Sequence, residues 1–113
     1  MSMGAKIPRR VECGEQPVNL RVGEEFFYQF HRHGSVGEDA EFEITDTSVI
    51  RHDKTETEYL HPERMKPGWT GGDAESGQWF FTAIRPGNAT LIVRTLFRFK
   101  VEDECQVHFI VEA

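Results

Sequence analysis

The chain has 113 residues, 38% of them hydrophobic and 28% charged, with a formal net charge of -6. A chain of this length buries roughly two-thirds of its unfolded surface, enough for the core of one domain, and this composition argues against disorder beyond the ends. The acidic balance excludes the clustered Lys and Arg that phosphate-backbone binding needs, so no nucleic-acid partner is expected, and no window approaches the roughly eighteen apolar residues that span a bilayer.

A single domain over residues 1–113 is expected, with 1–14 a flexible or edge N-terminal segment. That segment has no apolar stretch after its basic residues, so the chain as written reads as cytoplasmic; removal of a signal peptide would make it secreted or periplasmic. From Val18 to Val22 the residues alternate, with Val18, Leu20 and Val22 on one face, as a half-buried strand requires. Gly23 and Glu24 turn the chain into a second strand, Glu25 to His31, with Phe26, Tyr28 and Phe30 on one face. His33 to Asp39 holds two glycines and short polar residues, a loop composition.

Phe42 and Ile44 mark a third strand, and Val49-Ile50 a short edge-like one. Arg51 to Pro67 is charged and weakly patterned, with one further strand around Thr57 to Leu60. Gly68 to Gly77 is glycine-rich and reads as an exposed loop with Trp69 near its start. Trp79, Phe81 and Ala83 alternate with Phe80, Thr82 and Ile84 in a strand covered on both faces, which Arg85-Pro86-Gly87-Asn88 closes as a turn. The next strand runs from about Leu91 to Phe99. Lys100 to Glu104 is expected to turn the chain into a last strand containing Val107, Phe109 and Val111.

No segment sustains a helical period. Seven to eight short antiparallel strands separated by turn signals describe an all-β chain, an immunoglobulin-like β-sandwich.

The two cysteines, Cys13 and Cys105, lie outside any CxxC spacing, which leaves a disulfide across a long loop and a pair of reduced thiols both open. On a strand, His31 and His33 would share a face, yet no third ligand stands at a recognisable spacing, so no metal and no cofactor are expected. A Cys105/His108 nucleophile pair is conceivable, but strands do not build a pocket, and the acidic clusters Glu24-Glu25, Glu38-Asp39 and Glu102 to Glu104 fall in expected turns. No catalytic residue is assigned, and the chain is read as a non-enzyme. Gly68 to Gly72 lacks the following Lys-Ser or Lys-Thr of a phosphate loop. Trp69 reads either as an exposed binding residue or as an aromatic folded back onto the sandwich end.

Several of these segments together resemble the chagasin family of cysteine protease inhibitors. They are Val18 to Glu24, the loop after the second strand, Gly68-Trp69-Thr70-Gly71-Gly72, the Trp/Phe strand, Arg85-Pro86-Gly87, and the strand ending at Phe97-Arg98-Phe99. The likeness runs from about Val18 to Ala113. It implies an immunoglobulin-like sandwich that blocks a papain-like protease noncovalently with three loops at one end.

In the first loop Gly37 matches the family motif outright, Ser35 stands where the family has Thr, and the aromatic that should follow closely is replaced by Glu38 to Phe42. The second loop reproduces the glycine pattern through Gly68, Gly71 and Gly72, with Trp69 and Thr70 this chain's own. In the third, Arg98 matches the family Arg while Phe99 occupies the place of Pro. The partner-binding residues so implied are Ser35, Val36, Gly37, Gly68, Trp69, Thr70, Gly71, Gly72, Phe97 and Arg98, in a chain expected to act as a monomer. The alternative is an immunoglobulin-like interaction or accessory module that binds another partner without inhibiting a protease.

Overall fold

A computed structural model describes residues 7–33, 37–59 and 74–113. Among them lie eight strands: β1 (Arg9–Val11), β2 (Val18–Arg21), β3 (Glu25–His33), β4 (Glu38–Ile44), β5 (Ile50–Tyr59), β6 (Ala74–Ala83), β7 (Gly87–Phe97) and β8 (Lys100–Glu112). They form two four-stranded sheets, β1-β3-β6-β5 and β2-β8-β7-β4, linked by the bridge His33↔Glu38. This is the immunoglobulin-like β-sandwich that the alternation predicts. No helix among the described residues is long and apolar enough to cross a membrane.

Alternation fixes which face each strand buries but not its direction. The long strands pair antiparallel, while the two short N-terminal ones pair in parallel. β1 runs beside β3, with Val11 opposite Tyr28, and β2 beside β8, with Leu20 opposite Val111. Residues 9–11 form a strand at a sheet edge, with Val11 in the core at 1% exposure. Between β1 and β2 the chain crosses from one sheet to the other. There the Gly14 N–H donates to the Gln106 carbonyl at 3.1 Å, the His108 N–H donates to the Glu15 carbonyl at 3.2 Å, and Cys13 is disulfide-bonded to Cys105.

The inward residues of both sheets make one aromatic core. Phe26 lies 5.2 Å from Phe81 within its own sheet and 4.6 Å from Phe109 in the facing sheet. Phe42 reaches across from β4 to Trp79 at 4.9 Å and Phe81 at 5.3 Å. Each fully buried Phe is worth about 1.5–3 kcal/mol relative to exposure, so this cluster dominates the adhesion of the two sheets.

Besides the earlier starts of β4 at Glu38 and of β7 at Gly87, inside the expected His33 to Asp39 loop and Arg85 to Asn88 turn, three larger boundaries differ from the sequence reading, each for a physical reason. Val49-Ile50 and the segment around Thr57 belong to one strand, β5, which sits at a sheet edge with residues 51–57 exposed and the register shifted between His52 and Lys54. An exposed, bulged edge strand shows no alternation to read. The glycine-rich loop was expected to reach Gly77, but residues 74–77 pair with β3 and β5. Gly77 is a packing glycine: a Cβ there would lie 2.6 Å from Phe30 Cε1, so the Phe30 ring occupies the space its side chain would need. Finally, the expected turn at Lys100 to Glu104 is strand, because the chain reverses earlier, at Arg98 and Phe99, with Phe97 paired to Lys100.

Candidate partner-binding end

The sheet register gathers three connections at one end of the sandwich. β3 ends at His33, opposite Ala74, where β6 begins. β5 ends at Tyr59, opposite Glu75, beside the same end. Glu38, where β4 begins, pairs with both His33 and Phe97, and Phe97 leads into the Arg98-Phe99 turn. The β3–β4, β5–β6 and β7–β8 connections therefore leave from adjacent strand ends.

Gly37 joins the first connection to the third. Its carbonyl accepts a hydrogen bond from the Arg98 N–H at 2.8 Å. Two conditions demand glycine here: its φ is +81°, and a Cβ would lie 2.9 Å from Arg98 Cγ. Arg98 and Phe99 have φ of 52° and 72°, the left-handed pair that a tight two-residue hairpin needs. Neither is glycine, and each left-handed non-glycine residue costs about 1–2 kcal/mol. The Arg98 guanidinium in turn lies over the Phe97 ring, 5.1 Å from its centre.

This turn presents a projecting apolar surface. Phe99 is 97% exposed, Val101 55% and Phe97 39%. A large apolar side chain left in water on a pinned turn carries the geometry of a binding hot spot. Of the residues predicted from sequence, the structure brings Gly37, Phe97 and Arg98 together. Ser35, Val36, Gly68, Trp69, Thr70, Gly71 and Gly72 lie outside the described residues. Phe99 was missed, because the family alignment set it in the place of Pro and the expected turn lay beyond it; the signal that could have found it is the apolar side chain that breaks the alternation next to Arg98.

Below this end, the outer face of the β2-β8-β7-β4 sheet carries a charged knot. Arg94 contacts Glu43 at 2.9 Å, Glu104 at 3.0 Å and Glu41 at 3.6 Å, and the hydrogen bonds to Glu43 and Glu104 raise its pKa. On the other sheet, burial alone would raise the Asp53 carboxyl. The hydrogen bonds from Thr82 and from Arg51, the latter at 2.7 Å, outweigh it and hold the carboxyl below its usual value. Tyr28 is raised mainly by burial, then by the charges of Asp103 and Glu12.

The conceivable nucleophile pair does not form. The Cys105 sulfur is bonded to Cys13, and His108 Nδ1 is paired with Thr90 Oγ1 at 2.8 Å. Among the described residues no three His, Cys, Asp or Glu side chains gather as metal ligands would. At this end stand the exposed Phe99 ring and the Gly37–Arg98 backbone hydrogen bond.

No family model matches the chain, and no curated protein matches it. Solved structures do. The cysteine protease inhibitor EhICP2 from Entamoeba histolytica superposes with a TM-score of 0.67 at 8% identity, over 93% of this chain and 88% of that one. Amebosin superposes with a TM-score of 0.62 at 12% identity, over 96% of this chain and 100% of that one. Domains 4 and 5 of the S-layer protein SbsC give a TM-score of 0.52 at 9% identity, over 90% of this chain and 50% of that one. At these identities the likeness establishes the fold.

Proposed function

We propose that the chain is a noncovalent inhibitor of papain-like cysteine proteases, acting through the β3–β4, β5–β6 and β7–β8 connections. The observation that carries this reading is the Gly37–Arg98 junction, which welds the one first-loop residue matching the inhibitor motif to the Arg of the third loop. The EhICP2 fold supports it: a sandwich of the same architecture is named as a cysteine protease inhibitor.

Occlusion is the mechanism. The connections fill the substrate groove over the catalytic cysteine without presenting a peptide bond in cleavable geometry. One copy of the chain fills one cleft, burying on the order of 1,600 Å² in total. Because the hairpin tip is held by the Gly37 carbonyl, little ordering entropy is lost on binding.

Titration of papain and cathepsin L with the protein at micromolar concentration tests the proposal. Competitive, reversible loss of peptidase activity is expected; undiminished rates for both enzymes refute it.

A second reading, a module that binds another protein through the same end, is favoured by Phe99, which places an exposed aromatic where the inhibitor motif has Pro. Binding through the β5 edge is disfavoured. That edge is guarded by a bulge and by Arg51, Asp53, Lys54 and Glu56, which pair among themselves at 2.7 Å and 2.8 Å.

A further inference from the structure

The N-terminal crossover is built as a strap. β1 has only three paired residues on β3, yet it delivers Val11 into the core. The chain then leaves for the opposite sheet, and the Cys13–Cys105 bond fixes it to β8, the strand that leads out of the β7–β8 turn. The bond spans 92 positions of sequence with Cα atoms 5.6 Å apart. On the same spot Tyr28 Oη, from β3, lies 3.7 Å from Cys105 Sγ. One disulfide thus ties the strand entering the first connection, through β1, to the strand leaving the third.

Access to this bond is lopsided. Cys105 is half-buried, whereas Cys13 is exposed and borders a shallow cleft of about 140 Å³ lined by Arg10, Val11, Glu12, Tyr28 and Gln29. Thiol–disulfide exchange needs a thiolate to reach one sulfur, and Cys13, the more exposed residue, gives the more open approach.

We infer that Cys13–Cys105 is a redox latch that regulates the end-loop site by keeping the β1 strap docked. This rests on the inhibitor reading for its functional consequence. A dithiol reductant attacks the Cys13 sulfur, and the Cys105 sulfur leaves as a thiolate and takes up a proton. The second thiol of the reductant then resolves the mixed disulfide. Two electrons pass to the protein, which gains two thiols, and the reductant leaves as its disulfide. Without the latch, a three-residue strand must hold itself, and it opens locally to uncover the β3 edge from Phe26 to Tyr28. The reducing conditions that keep a protease cysteine active are those that release the strap.

Arg9 and Arg10 supply a reporter, since both lie in β1 ahead of Cys13, and trypsin can cut after them only when the strand leaves the sheet. The intact oxidised protein, the dithiol-reduced protein and Cys13→Ser are each digested, and loss of residues 1–10 is followed by mass spectrometry. Release at least about tenfold faster is expected for the reduced protein and for Cys13→Ser than for the oxidised protein. Near-UV circular dichroism confirms that each is folded, and Cys105→Ser or the reduced wild type stands in where Cys13→Ser does not fold.

In a second arm, papain activated with reductant and then freed of it is titrated with the oxidised protein and with Cys13→Ser. The variant is expected to be about tenfold weaker, as loss of preorganisation requires. Equal tryptic release overturns the latch, and equal potency overturns its control of the site. An oxidised protein that inhibits neither papain nor cathepsin L refutes the function proposed above, while the tryptic comparison still decides whether the strap is latched.

Discussion

Gly37→Ala separates the reasoning about this end from a general account of the fold. The native φ of +81° sets the first cost, about 1–2 kcal/mol for a left-handed alanine. The second is the added methyl, 2.9 Å from Arg98 Cγ. That carbon sits one bond from Cβ on a turn already held at positive φ, so the relief must come from the turn itself, at roughly 1 kcal/mol. The stiffer unfolded chain returns about 0.5 kcal/mol, leaving a net loss near ~2 kcal/mol. For a chain of this size that is a fall in Tm on the order of 10 °C. The functional cost follows from the same movement, because displacing Arg98 breaks its hydrogen bond to Gly37 and moves Phe99. Differential scanning calorimetry and protease titration of wild type and variant read the two effects. A variant with unchanged Tm and a potency within about twofold of wild type would show that the Gly37–Arg98 junction neither strains nor positions the site.

Phe99→Ala removes a side chain that touches almost nothing in the free protein, so Tm should stay within about 1 °C while potency against the target protease drops at least ~10-fold. An unchanged inhibition curve would remove Phe99 from the interface. Gly77→Ala is the opposite case, a position inside β6 where a methyl is forced into the Phe30 ring. Urea denaturation should show a loss of about 3 kcal/mol or a failure to fold, and a loss under about 0.5 kcal/mol would mean that Phe30 can move aside. The Asp53 carboxyl, held below its usual 3.8 by Thr82 and Arg51, contributes stability that is present above that value and lost as pH falls through the lower folded one. Urea midpoints for wild type and Asp53→Asn should therefore differ at pH 7, with the gap closing as pH falls below 3.8, and a gap that does not narrow on acidification contradicts the assignment.

Strands with one wet face could be read from sequence by their alternation. Val18 and Leu20 on β2, Phe26 and Phe30 on β3, and Leu91 and Val93 on β7 alternate with polar or half-exposed neighbours, and burial follows that pattern. Where both faces of a strand meet water, as along β5, hydrophobic periodicity has nothing to report, and one strand was split into two. The parallel placement of β1 and β2 was equally hidden, because three- and four-residue strands hold no information about the direction of their partner. Gly77 misled for a different reason. Glycine serves loops and close packing alike, and only the position of the Phe30 ring decides between them. Of the residues the resemblance implies, Gly37 and Arg98 meet through a backbone hydrogen bond, and Phe99 beside them is not among those it implies.

That omission bears on how the end works. Tight hairpins favour glycine, asparagine or aspartate at their two central positions, and a turn built from Arg98 and Phe99 breaks the rule at both. Two left-handed residues held against a total cost of about 2–4 kcal/mol persist only where the surrounding structure over-determines them. Here the Phe97–Lys100 pair closes the turn, the Gly37 carbonyl pins its first residue, and the Phe97 ring lies under the Arg98 guanidinium. Replacement of Arg98-Phe99 by Asn-Gly would relieve the strain and raise stability, a change that selection for folding alone would favour. A ring held almost wholly in water by such a turn is not explained by packing, and the proposed binding end gives it a use. The same departure from turn chemistry that concealed the hairpin in the sequence singles it out for the binding proposed at this end.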